Sequence, residues 1–155
     1  MIFYYLDASA WIKRYYREMG TGWVQNLFAQ NRTMACASLG LVEIIATLAR
    51  KRKAREISQS RLEQKAQELE EDWECFVQVQ LTNEVVDSAK NLAKRLALRG
   101  ADSIHLASAL LLQRHFAEED DQLLMVTSDR ELKEAARSFD LVVVDPDEEA
   151  GLKQP

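Results

Sequence analysis

Apolar and polar residues along the chain follow two rhythms: short unbroken apolar runs, and longer stretches with apolar positions at helical spacing. Ile2 to Leu6 is such a run and meets Asp7. Continuous apolar character suits the middle of a parallel sheet, so residues 2–7 are predicted as a strand. A helix over 8–17 follows, punctuated by Gly20 and Gly22, then a short helix carrying Trp23, Leu27 and Phe28. Residues 32–38 read as a strand. From Leu39 the spacing turns helical (Leu41, Ile44, Ile45, Leu48) and enters the basic run 49–55. A long polar helix over 58–73 keeps Leu62, Ala66, Leu69 and Trp73 on one face. Residues 75–81 alternate as a strand, and Thr82 or Asn83 can cap a helix carrying Val85, Ala89, Leu92 and Leu96. Gly100 separates it from an apolar helix over 101–114.

The segment EEDDQ (118–122) is expected to be a solvated turn. Residues 123–129 repeat the opening pattern, an apolar strand running into small polar residues and an acid. Ser128 and Glu131 have the spacing of a capping box for a helix over 130–139. LVVVD is a last buried strand closed by Pro146, and the acidic tail beyond it is expected to fray. Strands thus alternate with helices from end to end, which predicts a mostly parallel sheet covered on both faces.

Composition narrows this little. The 155 residues suit one domain, and 47% hydrophobic with 29% charged residues is ordinary for a soluble protein. No apolar stretch approaches the ~20 residues of a membrane span, and no secretory pattern opens the chain, so a cytoplasmic protein without membrane contact is expected. Cys36 and Cys75 show no metal spacing and are read as reduced core residues. The net charge of -5 argues mildly against a protein that coats nucleic acid, unless clustered acids are offset by bound cations.

Four acids stand out. Asp7 and Asp129 end predicted parallel strands, where ligands bind in open α/β sheets. Glu43 interrupts SLGLVEIIATL, and Asp102 opens ADSIHLASALLL. Acids in apolar surroundings are costly unless paired or metal-bound, and an oxygen-only cluster suits Mg²⁺ or Mn²⁺. Each has a plainer reading too: Asp129 and Asp102 suit the first turn of a helix, Asp7 an N-cap, and Glu43 a solvent-facing helix edge. His105 lies one turn after Asp102 and reads as a hydrogen-bonded residue on a packed face. The cationic run contains Arg50, Lys51, Arg52 and Lys53, and Lys13 and Arg14 follow the first acid. Either group could meet the phosphates of a nucleic acid, or the run could offset a helix dipole.

YYLDASAWIKRYYRE, SLGLVEIIATLARK, LRGADSIHLASAL and VTSDRELKEAA, in this order, resemble the four motifs of PIN-domain ribonucleases, specifically the VapC-type toxins of type II toxin–antitoxin pairs. The resemblance covers nearly the whole chain. It implies a three-layer α/β/α sandwich over residues 1–147, with an acidic tail over 148–155. It implies a Mg²⁺- or Mn²⁺-dependent endoribonuclease whose metal-binding and catalytic acids are Asp7, Glu43, Asp102 and Asp129, supported by Ser9 and Thr127. It further implies an RNA substrate, a cognate antitoxin and a homodimer. Ser103 departs from the small apolar residue usual there. The alternative is a PIN-like module that binds RNA or protein without cleaving, which the presence of all four acids opposes. A phosphotransfer protein of similar fold fits less well: an aspartyl phosphatase wants a second Asp where Ser9 stands.

Overall fold

The computed structural model describes residues 1–116 and 121–152. Five strands form one parallel sheet: β1 (Ile2–Leu6), β2 (Thr33–Ala37), β3 (Val77–Val79), β4 (Gln122–Val126) and β5 (Val142–Val144). Their order across the sheet is β3-β2-β1-β4-β5. The helices are α1 (Ala8–Trp11), α2 (Thr21–Ala29), α3 (Leu39–Lys53), α4 (Gln59–Glu74), α5 (Asn83–Leu96), α6 (Gly100–Phe116), α7 (Arg130–Ser138) and α8 (Pro146–Gly151). The expected three-layer α/β/α architecture is thus the one observed.

The apolar strand runs are unbroken because both faces of the sheet are covered. Phe3 and Tyr5 of β1, Ala35 of β2, and Leu123 and Met125 of β4 enter one core with Leu92, Leu106 and Leu132 from α5, α6 and α7. Their neighbours Leu6, Met34, Cys36 and Val126 enter a second core with Trp11, Leu27, Ile44, Leu69 and Trp73 from α1 to α4. Each fully buried Leu or Ile of these cores stabilises the fold by roughly 1.5–3 kcal/mol.

The chain winds from β1 through β2 to β3, then returns to lay β4 on the other edge of β1. The direction of winding therefore reverses between β1 and β4. Their register pairs Leu6 with Val126, and Asp7 N–H continues the ladder onto Val126 O at 3.2 Å. Asp7 and Thr127 consequently leave the sheet side by side.

Several local expectations change. The helix over 8–17 stops at Trp11 and tightens into a 3-10 turn, Ile12–Arg14. Trp11 Nε1 donates to Tyr15 Oη, and Tyr15 in turn donates to Asp72 on α4, which holds that tightened path. The strand expected over 75–81 shrinks to Val77–Val79, because Cys75 and Phe76 still bond back to the end of α4. Cys75 is exposed rather than part of the core. The capping box is not formed: Asp129, not Ser128, caps α7 by accepting from Leu132 N–H, while Ser128 donates to Asp145. The turn expected over 118–122 lies partly outside the described residues, and Gln122 already belongs to β4.

The tail is not frayed where it is described. Pro146 supplies a preorganised first residue for α8, and Asp145 caps it through Asp147 N–H. This helix lies against Gly20, whose φ of +83° is one that glycine adopts at low cost. A Cβ on Gly20 would stand 2.8 Å from Pro146 Cβ and 2.9 Å from its carbonyl carbon. Gly20→Ala is expected to lower stability by about 2 kcal/mol or more in urea unfolding, since strain and a backbone clash add. Gly22→Ala, with nothing within 4 Å of its added methyl, should leave stability unchanged or raise it slightly.

Candidate active site: an acidic cavity at the reversal of the sheet

The Asp7 carboxylate is 3% exposed and sits where β1 ends and α1 begins. It accepts from Ala10 N–H at 3.0 Å, from Thr127 Oγ1 at 2.7 Å, and from Ser9 Oγ at 2.8 and 2.9 Å. The two hydroxyls also accept: Ser9 from Ser128 N–H and Thr127 from Asp129 N–H. They therefore tie the ends of β1 and β4 together through one buried charge. Burial pushes the Asp7 carboxyl above its ordinary value, against the opposing pull of His105 and of these donors.

Asp129 holds α7 through one oxygen and receives Arg99 Nη2 on the other at 2.7 Å. Asp102, in the first turn of α6, receives Arg99 Nε at 3.0 Å. Burial, and then the nearby charge of Asp129, raise the Asp102 carboxyl, while Arg99 works to lower it. Ser103, the departure noted in the third motif, is fully buried and donates to the carbonyl of Arg99.

Glu43 projects from α3 to hydrogen-bond His105 Nε2 on α6. The other ring nitrogen, Nδ1, meets Tyr5 Oη at 2.8 Å, and Tyr5 Oη accepts from Ala37 N–H at 3.2 Å. Burial lowers the His105 imidazole, but Tyr5, Cys36 and Glu43 raise it well above its ordinary value, so a charged ring faces Glu43 through Nε2–H and Tyr5 Oη through Nδ1–H. Burial pushes the Tyr5 hydroxyl far above its ordinary value, which keeps it protonated. Glu43 is thus neither a free helix edge nor a core acid; a buried imidazole fixes it.

All four acids line one cavity of about 230 Å³, together with Ala8, Ser9, Arg99, Ala101 and His105. Sequence positions spread over most of the chain converge because the sheet reverses here. The donor set, four carboxylates beside a hydroxyl, has the chemistry of a hard divalent cation site. Among the described residues no three His, Cys, Asp or Glu side chains are close enough to hold a metal as they stand. The acids have other partners instead: Arg99 spans Asp102 and Asp129, and hydroxyls donate to Asp7. In donor chemistry, though not in the present spacing of the side chains, the residues suit such an ion.

A protein-family model, "PIN domain", matches residues 4–138, a span that contains all four acids. The chain belongs to the PIN-domain family. It is 33% identical over 134 residues to ribonuclease VapC45 and to ribonuclease VapC49 of Mycobacterium tuberculosis, covering 86% of this chain and 89% of each relative. Among solved structures it is similar to PAE2754 from Pyrobaculum aerophilum, with a TM-score of 0.66 at 16% identity, covering 97% of this chain and 88% of that one. It is also similar to VapBC2 from Rickettsia felis bound to a promoter DNA fragment, with a TM-score of 0.60 at 18% identity, covering 94% and 98%. At these identities the structures show that the PIN fold is shared.

In this PIN domain the cations expected near RNA divide sharply. Lys13 is 4% exposed and lies 2.9 Å from both Glu18 and Asp147, so it is a structural ion pair rather than a phosphate contact. Arg14 bonds Asp72 and stacks over Phe28, beside a 540 Å³ cavity that also takes in Thr33 and Met34 at the start of β2. That cavity is the larger of the two, but it lies at the opposite strand ends from the acids. Lys51 is paired with Glu56 over the Tyr16 ring. Arg52 and Lys53 are exposed. Arg50 lines a groove with Val42, Ala46 and Thr47 that shares Ala8, Ser9 and Glu43 with the acidic cavity. Arg99 was not singled out from sequence, although its place three residues before Asp102 is a helical pairing distance.

Because burial raises the Asp7 carboxyl, its contribution to stability is present below the ordinary Asp range and lost as pH rises through its folded-state value. Asp7→Asn keeps the helix cap without the buried charge. In chelator near neutral pH it should melt a few degrees higher, on the order of 1 kcal/mol. The gain should vanish as pH falls toward the ordinary Asp range. Calorimetry of both proteins across pH checks this.

Proposed function

We propose that this PIN domain is a divalent-metal-dependent endoribonuclease, acting as the toxin of a toxin–antitoxin pair. The observation that carries the reading is the convergence of Asp7, Glu43, Asp102 and Asp129 on one 230 Å³ cavity at the reversal of the sheet. The names of its relatives, both ribonucleases, and the solved complexes of VapB with VapC support it. Nothing in the cavity favours the non-cleaving alternative, since all four carboxylates are present.

The four acids, with Ser9 nearby, would hold Mg²⁺ or Mn²⁺. When bound, the cation supplies Lewis-acid polarisation of the phosphodiester and offsets the negative charge that builds during in-line displacement by water. The chain supplies rigidity. Asp7 is fixed from three directions, and His105 holds Glu43 from below, so neither carboxylate must be ordered when substrate arrives. Arg50 in the adjoining groove, with the exposed Arg52 and Lys53, gives a neighbouring phosphate a cationic path toward the acids. The 66% exposed Val42, in the same groove, suits an antitoxin segment that docks apolar side chains beside the cavity. A homodimer and a cytoplasmic setting belong to the same reading.

The test is cleavage of total RNA in Mg²⁺ or Mn²⁺, with and without chelator, by wild type, Asp7→Asn and Asp102→Asn. Activity is expected to disappear in chelator and to fall at least ~100-fold in either variant, as when an oriented charge is removed from a reacting site. Equal cleavage by all three proteins would discard the site.

A further inference from the structure

We propose that Arg99 is a substrate-positioning residue that exchanges partners: it neutralises Asp102 and Asp129 in the metal-free protein, and turns to the RNA phosphate once a divalent cation occupies the cavity. This rests on the reading of the cavity as a metal site for phosphodiester cleavage.

The geometry shows a cation placed to leave. One guanidinium joins two carboxylates from separate elements, through Nε to Asp102 Oδ2 and Nη2 to Asp129 Oδ2. Its side chain nevertheless remains 70% exposed, against 12% for Asp102 and 22% for Asp129. It can rotate without disturbing either core. Its backbone cannot follow, because the Arg99 carbonyl accepts from both Ser103 N–H and Ser103 Oγ. The guanidinium thus swings from a fixed point at the rim of the cavity.

The other basic groups near the acids do not take this place. His105 is 1% exposed and clamped between Tyr5 and Glu43. Arg50 is exposed too, but it lines the adjoining groove and donates to Thr47.

The chemistry of the exchange follows from the ligands. The oxygens that Arg99 covers are those a hard cation needs, so metal binding must displace it. A displaced guanidinium presents a planar fork, which matches two phosphate oxygens as well as it matches two carboxylates. Arg99 therefore opposes the metal and favours the RNA, two effects of opposite sign from one side chain.

The experiment uses the full chain stripped of metal, as wild type, Arg99→Gln and Arg99→Lys. Calorimetric titration with Mn²⁺ alone, without RNA, should show Arg99→Gln binding roughly 3- to 30-fold tighter than wild type, the scale of two exposed ion pairs removed. Arg99→Lys, which keeps the charge without the fork, should fall between. Fluorescence anisotropy of a labelled mixed-sequence single-stranded oligoribonucleotide, with Ca²⁺ in place of Mn²⁺ and in the cold, should show Arg99→Gln binding at least ~5-fold weaker. Its salt dependence should also be shallower by about one phosphate contact. Thermal melts identify any variant whose fold is lost. Mn²⁺ affinity unchanged or weakened in Arg99→Gln overturns the counter-ion role, and unchanged RNA affinity overturns the phosphate role. Absence of Mn²⁺ binding by wild type and variants alike overturns the metal-site reading and this proposal together, a result distinct from either of the others.

Discussion

The lateral pairing of β1 with β4 is the constraint on which the rest depends. It is the seam at which the winding of the chain across the sheet reverses, and it brings the end of the first strand beside the end of the fourth. One buried carboxylate crosses that seam. Asp7 is bonded to its own helix through Ala10 and to the opposite strand end through Thr127, and Ser9 reaches across to Ser128. A charge at 3% exposure would ordinarily be a defect. Here the hydroxyls and amides around it turn the defect into a fixed reference point for the cavity.

The remaining acids are made tolerable by two unlike bases. His105 is deep and immobile, belongs to a hydrogen-bonded chain from Ala37 through Tyr5, and orients Glu43. Arg99 is superficial and covers Asp102 and Asp129. The cavity thus has a rigid floor and a movable cationic rim. Such an arrangement keeps four carboxylates near one another while limiting the repulsion between them.

Much of this was legible in the residues. The unbroken apolar run Ile2–Leu6 announced a strand covered on both faces, and the alternation of such runs with helices announced the parallel sheet; LVVV, read as buried, instead forms an edge strand that leaves Val142 exposed. Asp7 and Asp129 could be placed at strand ends because each follows an apolar run directly. What was not legible depended on tertiary partners. Lys13 looks like any exposed base after a motif, and only the packing of α8 on the first turns shows that Glu18 and Asp147 enclose it. Ser128 and Glu131 have capping-box spacing, but Asp145 competes for the serine. The helix at 146–151 was missed because its acids read as solvated tail, while the Gly20–Pro146 contact that seats it joins opposite ends of the chain. Arg99 escaped notice because its partners, one local and one distant, emerge only when α6 and α7 meet.

The central place of the first strand has a bearing on how the molecule is made. β1 leaves the ribosome before the four strands it shares the sheet with, yet one of its two hydrogen-bonding edges waits for Gln122–Val126. For most of translation that edge, flanked by apolar side chains on both faces, has no native partner on the growing polypeptide. The same delay means that a truncated product ending before β4 would carry Asp7, Glu43 and Asp102 without the strand that frames them, so an unfinished chain cannot assemble the acidic cavity.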